Sequence, residues 1–274
     1  GSRRRGLLRV TGVRESMVTG CSDSIALRPG VAWPMWSHVT DPTARRALEA
    51  SLVASHWLEK WAGVNAREDR AWRAILRGFA RTGRAQDIQS IATATGLNAP
   101  AVVASLQGLH RRDMLVLDDS SLSVSAAYPF CAWASEHRVA IAGGASVQSL
   151  CAIDALGAGA MLGRDTIVDS VCRFCGTPVR IATRDSGRAL GSVSPSTAVV
   201  WAGQRYADNC SATSGCTLKA FFCSEAHLAA WRERADRDGV GFTLALEAAL
   251  QIGLALFPPL LMPARSAESE PSAL

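Results

Sequence analysis

The sequence predicts an α+β protein, in which an N-terminal helical, winged-helix-like part is followed by a mixed β-sheet part with flanking helices. Apolar residues recur at helical spacing between Leu48 and residue 112. After Gly163 the pattern changes to short strand-like runs separated by turns that contain Gly or Pro. The chain has 274 residues, 48% of them hydrophobic, and this composition permits a sizeable core.

The charge pattern argues against a nucleic-acid groove. The net charge is +5, and almost all of the 29 basic residues are arginines, since lysine occurs only at positions 60 and 219. Only Arg3, Arg4 and Arg5 form a run, whereas a nucleic-acid site usually shows a dense basic stripe. We therefore do not expect a nucleic acid as partner.

The apolar segments are too short or too interrupted to suggest a membrane span. A spanning helix needs about 18 or more apolar residues, and the closest segment, 240–262, contains Glu247, Gln251 and two prolines. No secretory signal pattern is visible, so we expect a cytoplasmic protein with no membrane partner. In that compartment eight cysteines predict free thiols or metal ligands rather than disulfides.

Composition and periodicity divide the chain into four parts. The predicted boundaries are 1–66, 67–142, 143–264 and 265–274. The first part is an extension with one helix after Asp41-Pro42 and no predicted role, and the last is a polar tail. The second is winged-helix-like, because helices at 71–81, 87–95 and 98–112 precede strand-like runs at 114–117 and 121–124.

The winged-helix pattern has two interpretations. The helix after Asn98 could read DNA, but Gln107 is its best base-reading side chain. We therefore favour a structural role for this part. Further along the chain, we expect strands at 166–171, 179–183, 199–202 and 241–246. Helices are expected at residues 221–222 together with 225–234, and at 247–256.

A thiol and a carboxyl lie three residues apart at Cys151 and Asp154. On a helix, residues i and i+3 share one face, so the two groups could reach one ligand. The neighbouring residues are apolar, and a carboxyl in such surroundings needs a partner or a raised pKa. The alternative is a core cysteine beside an aspartate that caps the helix.

A second cluster combines Cys172-Arg-Phe-Cys175 with Cys223-Ser-Glu-Ala-His227. A Cys-x-x-Cys pair joined by a Cys and a His at a helix start is the ligand set of a structural zinc site. The alternative is a group of ordinary reduced cysteines. The spacing leaves both interpretations open.

Several segments resemble the organomercurial (alkylmercury) lyase family. They include Cys151-Ala-Ile-Asp154, the stretch that ends at Gly163-Arg164, Ser192-Val-Ser-Pro-Ser196, Gly215-Cys216 followed by Phe221-Phe222, and the closing segment 241–256. The resemblance covers about residues 70–262. Two positions depart from the family pattern, since Leu150 replaces an aromatic residue and Thr217 follows Cys216 where a second cysteine is common.

The resemblance implies that Cys151, Asp154 and Cys216 are catalytic and bind mercury. The implied enzyme cleaves the carbon–mercury bond of R–Hg⁺ by protonolysis and leaves Hg(II) on two thiolates. It implies no cofactor for catalysis, an external thiol that accepts the product, and a mercuric reductase as a partner that receives Hg(II). From the residues alone, Cys210 is an alternative second thiol.

A different class of function uses the same thiols. A non-catalytic protein that binds or senses a soft metal would need the cysteines, because soft metals select thiolates. It would gain little from a carboxyl beside them, whereas protonolysis requires an acid. Asp154 therefore favours the enzyme.

Overall fold

The structure, a computed structural model, describes residues 26–29, 31–32, 38–61, 63–118 and 120–263. The basic run at Arg3, Arg4 and Arg5 and the predicted polar tail lie outside these residues. Among the described residues, none of the helices has both the length and the apolar character needed to cross a bilayer.

Among its described residues, the N-terminal part contains a short hairpin and two helices. Strand β1 (Ala26–Arg28) pairs with β2 (Val31–Ala32), and helices α1 (Pro42–Ala54) and α2 (Trp57–Trp61) follow. The prediction of one helix here is wrong. His56 has a left-handed backbone with φ of 51°, which ends α1 before α2 begins.

Three helices and a hairpin come next. Helix α3 (Ala66–Thr82), α4 (Ile88–Thr95) and α5 (Ala99–Arg111) precede strands β3 (Leu115–Leu117) and β4 (Val124–Ala127). Each helix begins at an Asn or Asp whose side chain accepts backbone N–H bonds. The order of elements agrees with the sequence pattern, while a winged helix as such stays a prediction.

Within the part of the chain that the structure describes, the main sheet has eight strands in the order β10-β9-β8-β6-β7-β5-β4-β3. Its remaining strands are β5 (Phe130–Cys131), β6 (His137–Ile141), β7 (Ser146–Ser149), β8 (Thr166–Val171), β9 (Pro178–Arg184) and β10 (Ala189–Ser194). All its described pairings are antiparallel, so the expectation of a mixed sheet is wrong in this detail. Short turns join most neighbouring strands, and such connections require antiparallel pairing.

The main sheet is continuous across the boundary that we predicted at residue 142. Strands β6 and β7 lie on either side of it and pair with each other from His137 with Ser149 to Ala140 with Ser146. The hairpin β3–β4 therefore belongs to the same sheet as β8–β10. The division of the chain into four parts stays a prediction.

A second sheet has the order β12-β11-β13. Its strands are β11 (Val199–Gly203), β12 (Lys219–Phe222) and β13 (Gly241–Ala245). The helix expected at residues 221–222 is therefore wrong, because Phe221 and Phe222 pair with β11 as a strand. The helix that follows is α7 (Glu225–Ala235).

The central helix α6 (Ala152–Leu162) is buried along almost its whole length. It packs against α8 (Leu246–Leu256) and α9 (Pro258–Leu261) and contacts both sheets through β6, β8 and β12. Gly157 and Gly253 allow α6 and α8 to approach closely, since a Cβ built on Gly157 would lie 2.9 Å from the Cα of Gly253. This packing places the start of α6 in the interior.

Candidate active site

Cys151 is the N-cap of the central helix. Its backbone is extended, and its Sγ accepts a hydrogen bond from the backbone N–H of Asp154 at 3.4 Å. The sulfur therefore lies over the first turn, where unpaired N–H groups favour a negative charge. The expected proximity of Cys151 and Asp154 arises from this cap, with Cys151 just outside the helix.

Cys216 reaches the same place from a distant part of the chain. It begins a 3₁₀ turn, Cys216–Leu218, and its Sγ lies 3.7 Å from Oδ2 of Asp154. One ligand atom from each of Cys151, Asp154 and Cys216 lies within 4.8 Å of the others. The exposed fractions are only 1%, 5% and 8%, so the three groups form a buried cluster.

The alternative second thiol, Cys210, is not part of this cluster. Among the described residues, the group of close ligand atoms around Asp154 contains Cys216 and not Cys210. Cys210 is half-buried, and its carbonyl accepts a hydrogen bond from Ser214 Oγ in the loop before Cys216. The geometry therefore favours Cys216 as the partner of Cys151.

The environment gives Cys151 the character of a thiolate. Burial, the largest single cause, acts to raise its pKa. A hydrogen bond from Cys216, the positive charge of Lys219 and hydrogen bonds with the backbone and side chain of Asp154 together outweigh burial and lower the pKa of Cys151 from 9.0 to about 6. At neutral pH this sulfur is therefore mainly ionised.

The other two groups of the cluster hold their protons more tightly. Burial, and then the negative charge on Cys151, raise the pKa of Asp154 well above its usual range. The hydrogen bond that Cys216 gives to Cys151, followed by burial, raises the pKa of Cys216. The site thus combines one thiolate with two proton-carrying groups.

The cluster opens into a cavity of about 660 Å³, a volume that includes its mouth. Its walls come from the start of α6, from α8 and from helices α1 and α2. Apolar side chains line most of it, among them Leu52, Trp57, Ile153, Ile252 and Phe257. The extension for which the sequence predicted no role therefore forms one wall of the cavity.

A buried ion pair holds the loop that carries Cys216. Lys60 Nζ lies 2.6 Å from Asp113 Oδ2, and the backbone N–H of Ser211 donates to the same oxygen at 3.0 Å. The hydroxyl of Tyr128 donates to Asp113 Oδ1 at 2.8 Å and accepts from the backbone N–H of Ala212 at 3.0 Å. This network connects α2 and the end of α5 to the loop that leads to Cys216.

Lys219 is a site residue that sequence reasoning missed. It lines the cavity, donates to the carbonyl of Gly215 at 3.0 Å, and lowers the pKa of Cys151. A signal was present, because lysine occurs only twice among 29 basic residues. The other lysine, Lys60, forms the buried ion pair with Asp113.

The second predicted cluster also comes together in space. One ligand atom from each of Cys172, Cys175, Cys223 and His227 lies within 4.8 Å of the others. Cys172 and Cys175 follow strand β8, while Cys223 and His227 flank the start of α7. The three cysteines are free thiols.

The fold and the first cluster define a class of protein. Two sulfurs and a carboxyl around a mostly apolar cavity make a thiol-based site for a soft metal or its organic compounds. Residues 130–258 match the family model described as "MerB: Alkylmercury lyase". This segment, which contains Cys151, Asp154 and Cys216, is similar to the alkylmercury lyase family.

A solved structure has a similar fold. It is described as the mercury-bound form of MerB2, with 22% sequence identity and a TM-score of 0.62. The similarity covers 80% of this chain and 100% of that chain. At this level of identity the likeness concerns the fold. No curated protein sequence matches the chain.

Proposed function

We propose that this protein cleaves the carbon–mercury bond of organomercurials, R–Hg⁺, by protonolysis. The observation that carries the proposal is the buried group of two sulfurs and one carboxyl within 4.8 Å of one another. The match of residues 130–258 to the alkylmercury lyase family model supports the same reaction. Cys151, Asp154 and Cys216 are the proposed catalytic and mercury-binding residues.

Binding begins at Cys151. Its thiolate attacks the mercury of R–Hg⁺, because mercury is a soft cation that prefers sulfur ligands. The organic group R then lies against the apolar wall formed by residues such as Leu52, Trp57 and Ile252. A second sulfur, that of Cys216, is close enough to join the same mercury atom.

The proposed protonolysis uses the two protons held at the site, those of Asp154 and Cys216. Asp154 gives its proton to the carbon, the C–Hg bond breaks, and its electron pair forms the new C–H bond. The thiol proton of Cys216 passes to Asp154, whose Oδ2 is 3.7 Å away, as the second S–Hg bond forms. In sum, R–Hg⁺, one thiolate and one thiol give R–H and a neutral Hg(II) dithiolate.

Product release requires an exchange of ligands. We propose that an external thiol takes Hg(II) from Cys151 and Cys216 through the mouth of the cavity, since a soft metal exchanges between sulfur ligands. No further cofactor enters the proposed reaction. A cytoplasmic location would supply such thiols, and a mercuric reductase is the proposed recipient of the Hg(II).

The decisive experiment measures benzene released from phenylmercury by the full chain with excess thiol. Repeated turnovers are expected. Cys216→Ser should abolish turnover, and the matched Cys210→Ser variant should retain it because Cys210 lies outside the cluster. Stoichiometric mercury uptake without benzene would instead indicate a protein that binds or senses a soft metal.

A further inference from the structure

The second cluster has the dimensions of a zinc site. In a tetrahedral site with Zn–S bonds of about 2.3 Å, neighbouring sulfurs lie about 3.8 Å apart. The Sγ atoms of Cys175 and Cys223 are 3.8 Å apart. Nδ1 of His227 lies 3.0 Å from Cys223 Sγ and 4.0 Å from Cys172 Sγ. These distances between ligand atoms lie on either side of the separation expected for four ligands around one zinc ion.

The local backbone contributes to this arrangement of the four ligands. The backbone N–H of Gly176 donates to the carbonyl of Cys172 at 2.8 Å, and Gly176 has a φ of 74°. This turn directs both Cys172 and Cys175 to one side. Ser224 caps α7 by accepting from the backbone N–H of His227, which holds the imidazole in the first helical turn.

The cluster is joined to the candidate active site through Arg173, which lies between two of the ligands. The backbone N–H of Arg173 donates to Phe221 O at 3.1 Å, and its guanidinium donates to the carbonyl of Thr217. Glu136 pairs with the same guanidinium at 2.8 Å. Thr217 directly follows Cys216, so Arg173 is hydrogen-bonded to the turn that positions the sulfur of Cys216.

We propose that Cys172, Cys175, Cys223 and His227 bind one Zn(II) ion, and that this ion holds Arg173 against the turn that carries Cys216. The ion binds three sulfurs and one nitrogen and leaves no position open for substrate, which is the pattern of a structural site. The thiol protons of the ligands are released on binding. Arg173 then acts as a positioning residue.

The first test is metal content. The full chain, purified with zinc present and mercury absent, should contain one zinc per chain by elemental analysis. Cys175→Ser should weaken zinc binding more than the about 10- to 100-fold that loss of an outer partner costs. Cys210→Ser, a free cysteine outside the cluster, should keep full zinc content. A wild-type chain that takes up no zinc in a titration would overturn the proposal.

The second test asks whether the zinc ion acts on the turn of Cys216 through Arg173 or only stabilises the fold. Removal of zinc with a chelator should increase the rate at which a small alkylating reagent labels Cys216, measured by mass spectrometry. The Arg173→Ala variant keeps all four ligands and should keep its zinc. Its Cys216 should nevertheless be labelled as fast as in the zinc-free wild type, with or without the ion. Unchanged labelling in both cases would overturn the coupling. Neither measurement depends on carbon–mercury cleavage.

Discussion

The Sγ atom of Cys216 lies 3.7 Å from Oδ2 of Asp154, although 62 positions separate the two residues. A thiol donor and a carboxyl acceptor at this distance can exchange a proton directly. Both groups are buried, and the low local dielectric of the interior strengthens such a contact. The contact therefore provides both the proposed proton relay and a direct way to test it.

Asp154→Asn should separate mercury binding from bond cleavage. The amide keeps the shape of the side chain but has no acidic proton to give, and loss of an acid–base group costs about 10²- to 10⁴-fold in rate. We expect single-turnover release of benzene to fall by that amount while Hg(II) binding stays within a few-fold. Asp185→Asn, at an exposed position, is the control. Equal losses of binding and cleavage would contradict the relay.

The reactivity of Cys151 should follow its lowered pKa. Since the pKa is lowered to about 6, its thiolate predominates above pH 6 and is lost as the pH falls below it. The rate of labelling with iodoacetamide, followed for each cysteine by mass spectrometry, should therefore have a midpoint near pH 6. Cys131 is an internal control, because burial raises its pKa to about 12.

Two substitutions should move that midpoint upward. Cys216→Ala removes the hydrogen bond that stabilises the Cys151 thiolate, and Lys219→Met removes a positive charge that does the same. In both variants Cys151 should be labelled more slowly at pH 7 than in the wild type. A midpoint that stays near pH 6 in both variants would show that these two groups do not set the pKa of Cys151.

Asp113→Ala should destabilise the protein strongly. The change leaves the ammonium of Lys60 buried without its carboxylate, and breaking one partner of a buried pair costs about 3 to 5 kcal/mol. Asp169→Ala breaks the exposed pair with Arg180 and should cost about 0 to 1 kcal/mol. Urea unfolding of both variants measures the difference, and similar small losses would mean that the buried network contributes little.

Gly157→Ala should lower stability, although alanine is the better helix former. Propensity alone favours alanine by about 1 kcal/mol. The new Cβ would lie 2.3 Å from Phe257 Cδ2 and 2.9 Å from the Cα of Gly253, and such overpacking costs about 1 to 3 kcal/mol. Thermal unfolding should show a net loss. An unchanged or higher melting temperature would mean that α6 and α8 separate easily.

Much of the secondary structure could be predicted because its signals are local. The runs at 166–171 and 199–202 agree with strands β8 and β11, since strand patterns repeat within a few residues. The break at His56 could not be predicted, because one left-handed residue leaves no periodic signal. The antiparallel order of the main sheet also depends on pairings between distant segments.

The sequence by itself determined the pairs whose members are close along the chain. Cys151 and Asp154 are joined by one turn of backbone, and Cys172 and Cys175 by another, so local geometry limits their separation. Only the tertiary structure decided that Cys216 and Lys219 meet the first pair, and that Leu52 and Trp57 close the cavity over them. Distances between remote segments follow from the packing of the whole core, to which many weak contacts contribute together.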